Sequence, residues 1–70
     1  INQQEYDKWL NNIEKLKEDY RTVARMNLIE NFGYKEIAEA LDMPINTVKT
    51  KIRRAKAMLL KMMDYSDELL

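Results

Sequence analysis

The seventy-residue chain has no cysteine, no histidine, one glycine and one proline. Without cysteine, neither a disulfide nor a thiolate metal site can hold so short a chain together. Without histidine, the commonest zinc ligand and the usual near-neutral acid–base group are missing. No apolar run approaches the ~20 residues that a membrane span requires, and no signal peptide is visible. A single glycine leaves no phosphate-cradling loop, and nothing reads as a β-hairpin or a low-complexity segment. No nucleophile–base pair appears, so no catalytic residue, metal ligand or cofactor is assigned. Carboxylate pairs such as Glu36–Glu39 fall at i, i+3 on an outward helix face and read as solvation. These absences leave a cytosolic, non-enzymatic domain with no membrane and no small-molecule substrate among its expected partners. Residues 1–70 make one small domain, whose core supplies only about 3–5 kcal/mol. The chain begins at Ile1, so a fragment of a longer protein is expected.

Net charge is zero, but its distribution is uneven. Residues 1–42 carry six basic and nine acidic groups, residues 43–63 six basic and none acidic, and residues 64–70 three acidic. The positive field is thus concentrated on one element, and local charge decides where a phosphate backbone docks. The acidic remainder should weaken non-specific binding.

That basic element is the second half of a two-helix pattern over about residues 34–61. Ile37, Ala38 and Leu41 give the first helix an apolar stripe, with Ala38 small enough for close helix crossing. Asp42 stands where the chain must turn, and aspartate tolerates a left-handed backbone. Pro44 cannot continue the first helix but can begin the second, because a first helical turn leaves its N–H groups unpaired. At 100° per residue, Val48, Ile52, Ala55 and Leu59 fall within about 60° of arc and mark a buried stripe. Opposite lie Asn46, Thr50, Arg53 and Ala57, flanked by Lys49 and Lys56 on one side and Thr47, Lys51 and Arg54 on the other. Hydrogen-bonding groups at the centre suit base edges, and cations at the margins suit phosphates. This is how a helix-turn-helix presents its reading helix to the major groove of double-stranded DNA.

Upstream, Tyr6, Trp9, Leu10, Ile13 and Leu16 recur at helical spacing and predict a first helix over roughly residues 3–15, with Trp9 as a core anchor. Glu18 and Asp19 open a second helix, where the macrodipole favours acids. It runs to about Glu30, with Tyr20, Val23, Met26 and Ile29 inward. Asn31 is a left-handed stop, Phe32 packs the corner, and Gly33 frees the start of the third helix. The expected fold is all-α: a four-helix domain built on a three-helical, winged-helix-like DNA-binding core without the wing. Met26 and Met43 read as core filler. Met58, Met62 and Met63 extend the last helix beyond the DNA face, where an adaptable apolar surface serves either a partner or internal packing. The tail, residues 64–70, reads either as a helical extension or as a partner-contacting segment.

The order Leu16-x-x-x-x-Arg21-x-Val23, then Phe32-Gly33-Tyr34-Lys35-Glu36-Ile37-Ala38-Glu39-x-Leu41, then Pro44-Ile45-Asn46-Thr47-Val48-Lys49-Thr50-x-Ile52-x-Arg54-Ala55 resembles region 4 of bacterial RNA polymerase sigma factors. The likeness is greatest to the extracytoplasmic-function group and covers about residues 16–60. It implies a module that docks its reading helix on the promoter −35 element for transcription initiation. Its upstream helices would hold the flap-tip helix of the polymerase β subunit in an apolar groove, and an anti-sigma protein would be a further partner. A separate promoter-melting domain would precede Ile1. Lys49, Thr50, Arg53 and Arg54 occupy the family's main DNA-contact positions, while Asn46, Thr47 and Lys51 correspond to backbone or flank contacts. Arg21 and Lys35 are weaker candidates for phosphate contacts. Lys56, which the angular reading alone places on the basic margin, joins the DNA-binding set.

Departures from the family pattern also carry expectations. Lys17 stands where proline is common, which loosens the start of the second helix. Asn31 and Asp42 replace glycines, and Gly33 replaces a serine cap. Asn46 replaces glycine and adds a side chain near the bases. Leu28 stands where a polar residue is usual; read as exposed, it joins Met58 and Met62 as a partner-binding candidate. Two other readings stay open. A LuxR-like, response-regulator-type helix-turn-helix regulator shares the Thr-Val-Lys run, though it usually has histidine where this chain has Lys51. A basic amphipathic helix over residues 45–63 would instead lie on an anionic membrane or in a peptide-binding groove.

Overall fold

The computed structural model describes residues 3–63, and within them every regular element is helical. Helix α1 spans Gln3–Ile13 and α2 spans Glu18–Ala24, running on into a π-helical turn over Arg25–Ile29. Helices α3, Tyr34–Leu41, and α4, Ile45–Met62, follow. The all-α, four-helix expectation is met. The tail and its two readings lie outside the described residues.

Helix α1 stops two residues earlier than its periodicity predicts. Lys15 N–H bonds to the Asn12 carbonyl at 3.1 Å and Leu16 N–H to that of Ile13 at 3.0 Å. These i→i−3 bonds tighten the end of the helix into a turn. Lys17 begins α2 with φ −61° and ψ 153°, a conformation that proline also adopts, so the missing proline does not prevent the helix from starting.

The second helix departs from the sequence reading after Ala24. Over Arg25–Ile29 the bonding widens, as in the Glu30 N–H to Arg25 carbonyl bond at 3.0 Å. A π turn rotates less per residue than an α turn, so the 3.6-residue spacing no longer predicts which way Leu28 points. Leu28 and Ile29 pack together against the cluster containing α1's Ile13. Leu28 is therefore half-buried, correcting its expected exposure. Asn31 ends this stretch at φ 63°, left-handed as its residue type allows. The Phe32 N–H bonds to the Met26 carbonyl at 2.9 Å, and Asn27 Nδ2 donates to the Phe32 carbonyl at 2.9 Å. Phe32 as a whole is 37% exposed, and these backbone bonds help to hold the corner.

Between α3 and α4 the chain makes a complete Schellman turn. Asp42 takes φ 55°, Met43 N–H bonds to the Ala38 carbonyl at 2.9 Å, and Asp42 N–H reaches that of Glu39 at 3.4 Å. Ala38 and Met43 share an apolar cluster, which supplies the contact that accompanies this motif. Pro44 sits just before α4 rather than inside it, and its carbonyl accepts from Thr47 and Val48 N–H. Gly33 has an ordinary extended backbone at φ −77°, so its freedom is not required there. Glu36 reaches back, and its Oε1 accepts the Gly33 N–H at 2.9 Å. That carboxylate is one half of a capping box and not mere solvation.

The core forms two adjoining clusters. Ile13, Leu16, Ala24, Ala55, Leu59 and Met63 make one, and Val23, Ile37, Ala38, Val48 and Ile52 the other. Helix α4 feeds both through the predicted stripe, with Val48 and Ile52 in one and Ala55 and Leu59 in the other. Trp9, expected as an anchor, is only half-buried at the edge of its cluster, and Ile13 fills that role with no exposed surface. Because the apolar side of α4 is the core, it is not free to lie on a membrane or in a peptide groove.

Two substitutions test this account. Ile52→Ala should cost about 2–5 kcal/mol in urea unfolding, removing most of the stability of so small a domain. Gly33→Ser should raise stability by about 0.2–1 kcal/mol, by completing the box with Glu36 and stiffening the unfolded chain. A Cβ there meets nothing closer than Glu36 Oε1 at 3.5 Å.

Candidate nucleic-acid interface

Helix α4 is apolar where it meets α2 and α3 and polar elsewhere, so the core dictates which side faces outward. Asn46, Lys49, Arg53 and Arg54 are exposed, while Thr47, Thr50, Lys51 and Lys56 are half-buried. The structure gathers Asn46, Thr47, Thr50, Lys51 and Arg54 with Tyr20 of α2 around a shallow groove of about 310 Å³. Lys49 and Arg53 stand outside it, on the open crest. Arg21 is half-buried on α2 and Lys35 is exposed in the first turn of α3.

Thr50 differs from its expected place. The angular reading put it at the centre of the free face, whereas it is half-buried and lines the groove together with Tyr20. Lys51 is also drawn inward. Its ammonium lies 5.8 Å from the centre of the Tyr20 ring and 3.7 Å from Asp19 Oδ2, and its side chain is 22% exposed. The Asp19 side chain is 78% exposed, so this pair adds little stability. Its effect is positional, holding one cation against α2. Tyr20 and Asp19 were not among the predicted site residues. Tyr20 was legible only as an inward-facing aromatic, and no spacing rule links residue 20 to residue 51.

The electrostatics favour an anion at the N-terminal end of α4. No acid stands in its first turn, so the positive pole of an eighteen-residue helix is not neutralised from within. Asn46 lies in that turn and offers both a donor and an acceptor. Arg53 and Arg54 add planar donor forks about two turns further on. Such a surface can bind a phosphate backbone along its cationic margins and hydrogen-bond to base edges at its crest.

A three-helix core whose last helix follows a tight turn and exposes a cationic, hydrogen-bonding face defines a helix-turn-helix DNA-binding domain. Residues 7–59 match the family described as Sigma-70, region 4, and the chain belongs to that family, which is a DNA-binding regulatory domain rather than an enzyme family. Forty-seven residues are 38% identical to the ECF RNA polymerase sigma-E factor of Haemophilus influenzae, covering 67% of this chain and 25% of that protein. Forty-nine are 43% identical to the ECF RNA polymerase sigma factor SigW of Bacillus subtilis, covering 70% of this chain and 26% of that protein. The chain thus spans about a quarter of the length of these curated relatives. No solved structure matches it. Among the described residues, no helix is long and apolar enough to cross a membrane.

Lys56, on the margin away from the Tyr20 groove, separates charge from base reading. Lys56→Ala should weaken binding to all duplexes about equally and lower the salt-dependence slope by about 0.9. Titrations of two unrelated duplexes at several salt concentrations measure both effects.

Proposed function

We propose that this chain is the −35-reading module of an extracytoplasmic-function sigma factor, acting in the bacterial cytoplasm as part of RNA polymerase holoenzyme. Helix α4 enters the major groove of the promoter −35 element. Arg53 reads base edges from the crest, and Asn46 does so from the first turn of α4. Lys49 and Arg54 contact the groove's rim, and Lys56, Thr47 and Thr50 contact its flanks. Lys51 reaches a phosphate only when it leaves Asp19, and Arg21 and Lys35 add phosphate contacts from α2 and α3. The observation that carries this reading is the exposed α4 face, cationic and free of acids from Met43 to Met63, in a chain of this family.

The second half of the proposal concerns the polymerase. Tyr6, Trp9, Leu28 and Ile29 line an apolar hollow of about 200 Å³ between α1 and the π turn. An amphipathic helix docks in such a hollow through its apolar face. We assign it to the flap-tip helix of the polymerase β subunit, with Leu28 as one wall. An anti-sigma protein would compete for this surface or for α4, and a separate domain of the longer chain would melt the promoter.

Arg53→Ala tests base reading. It should cost about 1–3 kcal/mol on the preferred duplex and relax preference at one base position. Selection from a randomised duplex pool with both proteins measures this. A uniform loss across all sequences would move Arg53 from base reading to phosphate contact.

A further inference from the structure

Of the six cations on α4, Lys51 alone is in an ion pair among the described residues. Its ammonium lies 3.7 Å from Asp19 Oδ2 and 5.8 Å from the centre of the Tyr20 ring. Lys51 lines the groove between α2 and α4 with Thr47, Thr50 and Arg54, residues that the proposed function gives to DNA. A carboxylate therefore stands at the edge of the surface that would meet phosphates. There it works against the attraction that the rest of α4 supplies. The pair is not a brace for the fold, because the Asp19 side chain is 78% exposed and such a pair contributes little stability. Nor does the helix macrodipole require it, since Glu18 already stands in the same first turn of α2. The same exposure lets an incoming anion take the place of the carboxylate.

We propose that Asp19 is an intramolecular competitor of the DNA backbone, a positioning residue that acts on binding through Lys51. The inference rests on the reading of α4 as the DNA helix and adds a control on how strongly that helix binds. In the free domain the carboxylate occupies the ammonium. In the complex a phosphate replaces it, and the displaced carboxylate is left beside the DNA. It then repels the backbone and retains a cation from solution, which offsets one of those that the DNA releases. Affinity for every duplex is lowered alike, because neither partner in the exchange is a base. Binding thus depends less on charge and more on the base contacts of Arg53 and Asn46.

Anisotropy titrations of a preferred and an unrelated duplex, each over a range of salt, test this with the full seventy-residue chain. Asp19 is exposed, so Asp19→Asn leaves the core intact. It should bind both duplexes about two- to fivefold tighter at low salt. The salt-dependence slope should steepen by about 0.9, and the gain should fade as salt rises. Glu18→Gln removes the same charge from the same turn without touching the pair, and should leave the slope unchanged. In a Lys51→Ala background, adding Asp19→Asn should lose most of the gain. A full gain in that background, or an equal one from Glu18→Gln, would overturn the inference by reducing Asp19 to one more negative charge. Unchanged affinity and slope in Asp19→Asn would overturn it and leave the DNA reading intact. A wild-type chain that bound neither duplex would overturn both.

Discussion

The burial of one side of α4 is the constraint on which the rest of the structure depends. Val48, Ile52, Ala55 and Leu59 are within 1% of complete burial and contribute to both core clusters. A stripe that narrow holds the helix at a single rotation, since turning it by one residue would put a lysine or threonine into the core. The rotation in turn decides which side chains are free. Arg53 and Asn46 face outward because Val48 and Ile52 face inward. Stability and recognition are thus two consequences of one packing arrangement, and the same helix carries both.

Charge is organised around that arrangement. The chain is neutral, yet its cations after residue 42 all stand on α4 and its acids lie elsewhere. Attraction to DNA is therefore concentrated on one element instead of being spread evenly over the domain, which favours a defined orientation over general adhesion. The acids are not idle. Glu36 caps α3, Glu14 pairs with Arg25 across the α1–π-turn corner, and Asp19 holds Lys51 against Tyr20. Glu14 and Asp19 each take a cation out of the freely available set, so the working electropositive surface is smaller than the residue count suggests.

Much of this was legible in the sequence because the governing rules are local. The α4 stripe follows from a 100° rotation per residue, and all four predicted positions are buried. The left-handed turns at Asn31 and Asp42 follow from the backbone tolerance of those residue types. What escaped involved either a change of helical pitch or contact between distant parts of the chain. The π turn altered the rotation per residue, so Leu28 moved from the outside to the edge of the core. Tyr20 lining one groove with Thr50 and lying beside the Lys51 ammonium is a tertiary arrangement that neither helix's own periodicity encodes. Gly33 was misread because glycine suggests a special backbone, whereas the local need was a donor for Glu36.

Under the proposed function, the apolar hollow of this sigma region 4 domain serves the polymerase while α4 serves the promoter. The most direct measurement is binding of the chain to the flap domain of a bacterial RNA polymerase β subunit, mapped by NMR shifts. The account predicts saturable binding that shifts Trp9, Leu28 and Ile29, leaves Asn46 and Arg53 unmoved, and still permits a duplex to bind. A folded chain that bound duplex DNA but ignored the flap, or that met the flap through α4, would contradict it.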